Sequence, residues 1–465
     1  MSARKTKKRE FRQKYHQKLI KELSMTFFGD MTTKLELLRL FSKFRGIKKC
    51  SIDPYLQAFS DKEKEYLGIR LFQNLFKILK RIKHLKVQDS YFNFLEVHKN
   101  SKTEKTFLLL TCLESLTFHW LGYSHNTKSL EHLLNIIRLA SKTKSWPKFK
   151  SLKIHFFEPG RYSWSRNYAL PLESLQSLLK FLQDLKSCCG NFYKYLDVEQ
   201  LTLPYFSDFN SEQAGILREI SKMIPVIRSI DIGEFKYFAE VLDIFQHSTT
   251  LKKISLEIKD PFPPPQIQDK TADLSILSRM SGLRELKLRG DNKVRADLTL
   301  YSKFLAQIQT MTNLTAFSFD IGGGTILTEG LKTDLARVIS SLTELKSLKL
   351  RFWNRYGDTP DFLAFKNLWL GDIFEAIGKR TKLKNLLISS CAFSNDLFVA
   401  FRRSLKGLRQ LSDLCLANIN CENFEEKERV KFWKGLSKLP KLENIDVSMA
   451  KPSGFPIGLK NARND

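Results

Sequence analysis

The segment Leu345-Lys-Ser-Leu348-Lys-Leu350 decides the fold of this chain. Its three leucines stand at positions i, i+3 and i+5, and they follow a stretch, 330–342, whose apolar residues recur at helical spacing. A leucine pair that alternates with a charged residue is typical of a strand that buries one face. The segment therefore predicts a helix followed by a strand.

The same triplet returns along the chain, and we call its i+3 member the central residue. The central residues are Cys50, Leu85, Leu116, Leu152, Leu201, Ile230, Ile254, Leu286, Phe317, Leu348, Leu386, Leu414 and Ile445. Their mean spacing is about 33 residues, which accommodates one strand and one helix per repeat. A doubly wound sheet, the alternative, would require fewer strands of more varied sequence. The pattern favours a repeat array.

On these triplets and their helical linkers, the chain resembles the leucine-rich-repeat family, specifically its ribonuclease-inhibitor-like class with long repeats. The resemblance covers nearly the whole chain. It implies an α/β solenoid, a horseshoe with a parallel sheet on its concave side and helices on its convex side. The family carries Asn or Cys five residues after the central residue. This chain has Gly322, Trp353 and Ala450 there and Cys only at Cys391, so its repeats are divergent.

The repeat pattern also predicts the organisation of the chain. We expect a basic tail or helix over 1–24, a helical cap over 25–46, about 13 repeats over 47–450, and a tail over 451–465. No apolar run is long enough for a membrane span. The seven cysteines are scattered and include no Cys-x-x-Cys pair. We therefore expect an intracellular protein, cytoplasmic or nuclear.

The formal net charge is +28, which attracts anionic partners. Residues one before, one after and three after each central residue should line the concave surface. The basic members of this set are Lys49, Lys86, Lys153, Lys253, Lys287, Arg289, Lys349 and Arg351; the acidic members are Asp53, Asp231, Glu257, Glu285, Asp320, Asp413 and Asp446. These charges nearly balance, so the positive excess is expected on helices, rims and termini.

Three insertions, 157–171, 260–273 and 352–365, each follow a predicted strand and should project from the carboxyl rim of the sheet. The candidate rim-loop binding residues are Arg161, Tyr162, Trp164, Arg166, Tyr168, Arg351, Trp353, Arg355 and Tyr356. Arginine and aromatic side chains stack on bases or anchor protein interfaces. The simpler explanation is that the rings pack back onto the repeat. The proline-rich second insertion predicts a stiff spacer.

The amino terminus is strongly basic. Its candidate binding residues are Arg4, Lys5, Lys7, Lys8, Arg9, Arg12, Lys14 and Lys18. Phe11, Tyr15 and Leu19 recur every four residues, which predicts an apolar stripe on a cationic helix. We interpret this basic arm as an RNA-binding arm, a nuclear import signal or an organelle-targeting helix. The alternative without a specific function is a solvated tail.

Two motifs could indicate a nucleotide-binding or metal-binding site, and each also has a purely structural explanation. The run from Asp320 to Thr325 is similar to the phosphate-binding hairpin of the actin and heat-shock ATPase superfamily, but no second phosphate loop accompanies it. His119 and His155 occupy equivalent places in consecutive repeats and should lie side by side. Without a matching carboxylate or thiolate they make a poor metal site. We therefore predict no cofactor, no metal, no small-molecule substrate and no enzymatic activity.

The sequence as a whole predicts an interaction scaffold. Its expected partner is anionic, either RNA or a ribonucleoprotein or an acidic protein, bound through the basic arm and the rim loops. The alternative is an F-box-like substrate receptor of a ubiquitin ligase, with the box in 23–44. That segment lacks the Leu-Pro start usual in such boxes.

Overall fold

The structure is a computed structural model. The residues that it describes are 22–26, 48–53, 81–88, 105–120, 127–156, 172–203, 209–233, 238–258, 275–290, 298–321, 329–352, 370–389, 395–419 and 426–449.

Strands and helices alternate through most of the described chain. The strands are β1 Glu22–Thr26, β2 Lys49–Asp53, β3 His84–Gln88, β4 Ser115–Trp120, β5 Ser151–Phe156, β6 Leu196–Leu203, β7 Ser229–Ile232, β8 Lys253–Ile258, β9 Glu285–Gly290, β10 Ala316–Ile321, β11 Ser347–Phe352, β12 Asn385–Ser389, β13 Asp413–Ile419 and β14 Asn444–Met449. The helices are α1 Thr127–Thr143, α2 Leu172–Cys188, α3 Gly190–Tyr193, α4 Ser211–Met223, α5 Phe238–Phe245, α6 Ser275–Arg279, α7 Leu298–Ile308, α8 Glu329–Ser341, α9 Gly371–Gly378, α10 Asn395–Leu405 and α11 Glu426–Leu436.

The chain divides into two compact units, Met1–Ser229 and Ile230–Asp465. In the first unit, each strand from β1 to β6 pairs in parallel with the next strand along the chain. In the second unit, the strands from β8 to β14 do the same. Parallel neighbours need a crossover connection, and from β4 onward the described helices supply it.

Strand residues alternate between a buried and a polar face. In β11, Leu348 and Leu350 are at most 1% exposed, whereas Lys349 between them is exposed. The helix before this strand, α8, buries Leu331 and Leu335 along the same kind of apolar stripe. The core of each unit therefore lies between its sheet and its helices, and the opposite face of the strands carries the polar side chains.

The strand prediction is confirmed over the described chain. Each of the thirteen predicted central residues lies in one of the strands from β2 to β14. The α/β class and the parallel, sequential order of strands within each unit are likewise confirmed. The finer assignment to leucine-rich repeats stays a prediction.

The sheet of the first unit begins one strand earlier than predicted. Strand β1 pairs with β2, with Leu23 beside Cys50 and Met25 beside Ile52. The array therefore does not start at residue 47, and 22–26 is a strand rather than part of a tail and a helical cap. The remainder of the predicted tail and cap, 1–21 and 27–46, lies outside the described residues, as does the predicted tail 451–465.

The register of β6 also differs from the prediction. Leu196, not Leu201, lies beside Leu152 of β5, and a bulge between Ile154 and His155 then brings Leu201 beside Phe156. A bulge inserts one unpaired residue and shifts every later side chain relative to the neighbouring strand. The long interval between the triplets at 152 and 201 thus ends in an unusually long strand.

The two faces of β11 predict opposite responses to truncation. Leu350→Ala should lower the free energy of unfolding by about 2–5 kcal/mol, because it leaves a cavity between sheet and helices. Lys349→Ala, one residue away on the polar face, should change it by less than about 0.5 kcal/mol. Urea unfolding monitored by circular dichroism measures both. Equal losses in the two variants would contradict the assignment of the faces.

Candidate functional site

The polar face of the second unit holds a cluster of charged side chains around Asp320. Lys287 Nζ lies 3.3 Å and Arg351 Nη1 lies 3.7 Å from Asp320 Oδ2. Ser318 Oγ donates a hydrogen bond to Asp320 Oδ1 at 3.2 Å. Asp320 is only 7% exposed. One buried carboxylate at the end of β10 is therefore shared by cations from the strands on both sides.

Other cations of this face also have acidic neighbours. Arg289 Nη2 lies 3.5 Å from Asp231 Oδ2, and Lys253 Nζ lies 3.6 Å from Glu285 Oε2. Burial lowers the pKa of Lys287, and Arg289 lowers it further, against the opposing effect of Asp320. Much of the positive charge on this polar face is thus compensated from within, in line with the balanced charge predicted for it.

The polar face of the first unit holds a pair of histidines and a carboxylate. The rings of His119 and His155 stack with their centroids 4.1 Å apart and an interplanar angle of 8°. The prediction that they lie side by side is confirmed. Glu199 Oε2 lies 2.8 Å from His155 Nε2, and Lys153 Nζ also bonds the Glu199 carboxylate.

Glu199 was not predicted as a member of this face. The predicted polar face was derived from a register of β6 centred on Leu201, and that register left Glu199 out. The bulge between β5 and β6 shifts the register and brings Glu199 beside His155. Burial raises the pKa of Glu199, but the hydrogen bonds from Lys153 and His155 outweigh burial and hold it below its ordinary value. The group offers a charged carboxylate and an imidazole for hydrogen bonding.

No metal-binding cluster is formed by the described residues: they contain no group of three or more His, Cys, Asp or Glu side chains arranged to hold an ion. His155 is hydrogen-bonded to Glu199, and His119 stacks on the His155 ring.

The residues that immediately precede the strands form a third surface, which we call the amino-edge row. In the second unit its members are Lys252, Arg284, Thr315, Lys346, Lys384, Ser412 and Glu443. The backbone N–H of each member after Lys252 donates to the carbonyl of the preceding member at 2.8 Å. These hydrogen bonds hold the row in register, so its residues follow one edge of the sheet.

The first unit has an amino-edge row of the same kind. Lys83 N donates to Lys48 O, Glu114 N to Lys83 O, and Lys150 N to Glu114 O. The Glu114 carboxylate lies between two of these lysines, with Lys150 Nζ 2.8 Å from Oε2 and Lys83 Nζ bonded to Oε1. Hydrogen bonds from Lys150 and then Lys83 lower the pKa of Glu114 to about 2.

Among the predicted binding residues, the structure describes Arg351, which pairs with Asp320 on the polar face. The other rim-loop residues and the basic-arm residues lie outside the described part of the chain: Arg161, Tyr162, Trp164, Arg166, Tyr168, Trp353, Arg355, Tyr356, Arg4, Lys5, Lys7, Lys8, Arg9, Arg12, Lys14 and Lys18. The glycines that follow Asp320 also lie outside it. The Asp320 carboxylate itself pairs with Lys287 and Arg351.

Sequence comparison identifies no relative: no protein-family model matches the chain, and no curated protein matches it. Among solved structures, the chain is similar to a mutant of the O-GlcNAc hydrolase of Thermobaculum terrenum, with 12% sequence identity and a TM-score of 0.21. The match covers 91% of this chain and 78% of that chain. A likeness this low assigns neither a fold nor an activity.

The comparison nevertheless corrects one expectation. The sequence predicted that the chain is not an enzyme, and the solved structure to which it is similar is that of a hydrolase. We therefore withdraw the prediction that the chain has no enzymatic activity. A separate property concerns membranes: none of the helices in the described part of the chain has the length and apolar character needed to cross one.

The ion pairs of Glu114 predict a stability difference that depends on pH. A carboxylate whose folded pKa is depressed stabilises the fold above its ordinary pKa of 4.5, and this contribution is lost as the pH falls toward about 2. Glu114→Gln should therefore lower the urea midpoint at pH 7 and match the wild type near pH 2. Urea titrations across this range measure the difference. A difference that persists unchanged at pH 2 would contradict the role of the charge.

The position of Asp320 predicts that its loss is costly. Asp320→Asn leaves Lys287 and Arg351 without their shared carboxylate, so the free energy of unfolding should fall by about 1.5–3 kcal/mol. Asp334→Asn is the matched control, since Asp334 pairs with Arg337 on the surface of α8, where such pairs contribute roughly 0.5 kcal/mol. Urea unfolding compares the two variants. Equal losses would show that the ion pairs of Asp320 stabilise the fold no more than an exposed ion pair does.

Proposed function

We propose that the chain is a leucine-rich-repeat-type solenoid that binds an anionic partner, either RNA in a ribonucleoprotein or an acidic protein. The formal charge of +28 carries this proposal, because a surplus of that size produces a field that attracts polyanions. The ion pairs around Asp320 support it indirectly. They compensate Lys287 and Arg351 on the polar face, so the proposed contacts are assigned to other surfaces.

The surfaces proposed to bind are the basic arm and the Arg/aromatic rim loops. The arm concentrates cations on a short segment, which favours contacts with phosphates or acidic side chains. The loops combine arginine with aromatic rings such as Trp164 and Trp353, which suit stacking on bases or anchoring in a protein pocket. In this proposal the arm supplies attraction and the loops supply selectivity.

The alternative of an F-box-like ubiquitin-ligase receptor has less support. Its expected box, 23–44, should begin in helical structure. Residues from Leu23 to Thr26 belong instead to strand β1, which pairs with β2. A strand of the sheet at the start of the expected box therefore argues against this alternative.

Deleting residues 1–21 tests the part assigned to the basic arm. The full chain and the deletion variant are titrated with fluorescent oligouridylate and with polyglutamate over a range of salt concentrations. The deletion should weaken binding and lower the slope of log affinity against log salt, because each lost phosphate contact removes about 0.7 from the slope. An unchanged slope would show that the arm does not bind. A full chain that binds neither polymer would refute the proposed function.

A further inference from the structure

We propose that the amino-edge row of the second unit binds the phosphate backbone of nucleic acid through Lys252, Arg284, Lys346 and Lys384. The inference rests on the proposed binding of an anionic partner, and it assigns that partner's class and a contact surface distinct from the arm and the rim loops. These four residues precede strands β8, β9, β11 and β12.

The spacing of the row follows from the sheet. Consecutive members are joined by backbone hydrogen bonds of 2.8 Å, from Lys252 through Lys384. Neighbouring strands lie about 4.8 Å apart, so the four cations extend over roughly 19 Å of one edge. A regular line of cations held by backbone geometry presents a track for a polymer rather than a pocket for a small anion.

The charges of this row are available to a ligand. Lys252, Lys346 and Lys384 are exposed, and in the described part of the chain none of the three lies within ion-pair distance of an acidic group. Lys346 is close enough to Glu344 to lower the pKa of that carboxyl, but the carboxylate is bonded by Lys382. Arg284 is steadied by its own loop, since its Nη1 donates to the carbonyls of Ser281 at 2.8 Å and Leu283 at 2.9 Å. On the polar face, by contrast, Lys287 and Arg351 pair with Asp320, and Arg289 pairs with Asp231.

The composition of the row favours nucleic acid over an acidic protein. Its other members in the second unit are Thr315, Ser412 and Glu443, so the row contains no aromatic or aliphatic anchor. Protein interfaces are depleted of lysine at their centre and rely on such anchors. Phosphate oxygens are instead contacted by lysine, arginine, serine and threonine side chains without regard to base sequence.

A simpler explanation is that these cations stabilise the negative ends of the preceding helices. That effect falls off within the last helical turn. Helix α8 ends at Ser341 and α9 at Gly378, whereas the row residues that follow them are Lys346 and Lys384. Lys252 likewise lies beyond Phe245, where α5 ends. The row is therefore too far along the chain to serve mainly as helix capping.

The test uses the full chain and three exposed lysines of the row, replaced as K252Q/K346Q/K384Q. The control K303Q/R337Q/K427Q removes the same charge from the exposed surfaces of α7, α8 and α11. Probes are a 20-mer of oligouridylate, a 20-base-pair DNA duplex and polyglutamate, titrated at several salt concentrations. Circular dichroism and thermal unfolding establish that both variants are folded.

The row variant should bind nucleic acid at least about tenfold more weakly than the control at low salt, with a salt slope lower by about 2 on single strands. Loss on one nucleic-acid probe alone identifies whether the backbone is single-stranded or duplex. Equal binding by row variant and control, with a wild type that binds, overturns this inference and leaves the proposed function standing. Selective loss of polyglutamate binding also overturns it, in favour of an acidic protein. A wild type that binds no probe refutes both.

Discussion

The structure depends on two apolar side chains that each strand from β3 to β13 buries on one face. In β11 these are Leu348 and Leu350, both essentially buried against the helix layer. Because strand side chains alternate, the residues between and beyond them must point to the other face. The residue before the strand must then lie at the edge of the sheet, as Lys346 does. The core, the polar face and the amino edge thus all follow from which residues of each strand are buried.

The two charged surfaces of the second unit differ in how their cations are compensated. On the polar face, cations and carboxylates from adjacent strands meet directly, and Asp320 is nearly buried between Lys287 and Arg351. Such partly buried groups need partners, because burial penalises an isolated charge. Along the amino edge, Lys252 and Lys384 are exposed to solvent and do not carry that penalty. A mobile polyanion therefore gains more from the edge than from the face, where it would have to displace existing ion pairs.

Much of the fold could be predicted from sequence because burial imposes a repeated pattern. The triplet around Leu348 predicts both a strand and its buried face, and twelve similar triplets predict the rest of the array. Strand β1 was missed although Ile20, Leu23 and Met25 have the same spacing, since the basic residues and helical stripe before them favoured a helix. The neighbour of His155 could not be predicted, because a bulge changes register without a marked sequence signal.

The central claim is that nucleic acid binds the cations of the amino edge of the second unit and not the cations of its polar face. Amine-reactive footprinting by mass spectrometry, with and without oligouridylate, tests it on the unmodified chain. We predict that Lys252, Lys346 and Lys384 react readily and are protected by the oligonucleotide, whereas the exposed polar-face Lys349 is not protected and the half-buried Lys287 reacts slowly throughout. Protection of Lys349 and Lys287 without protection of the edge lysines would contradict the account.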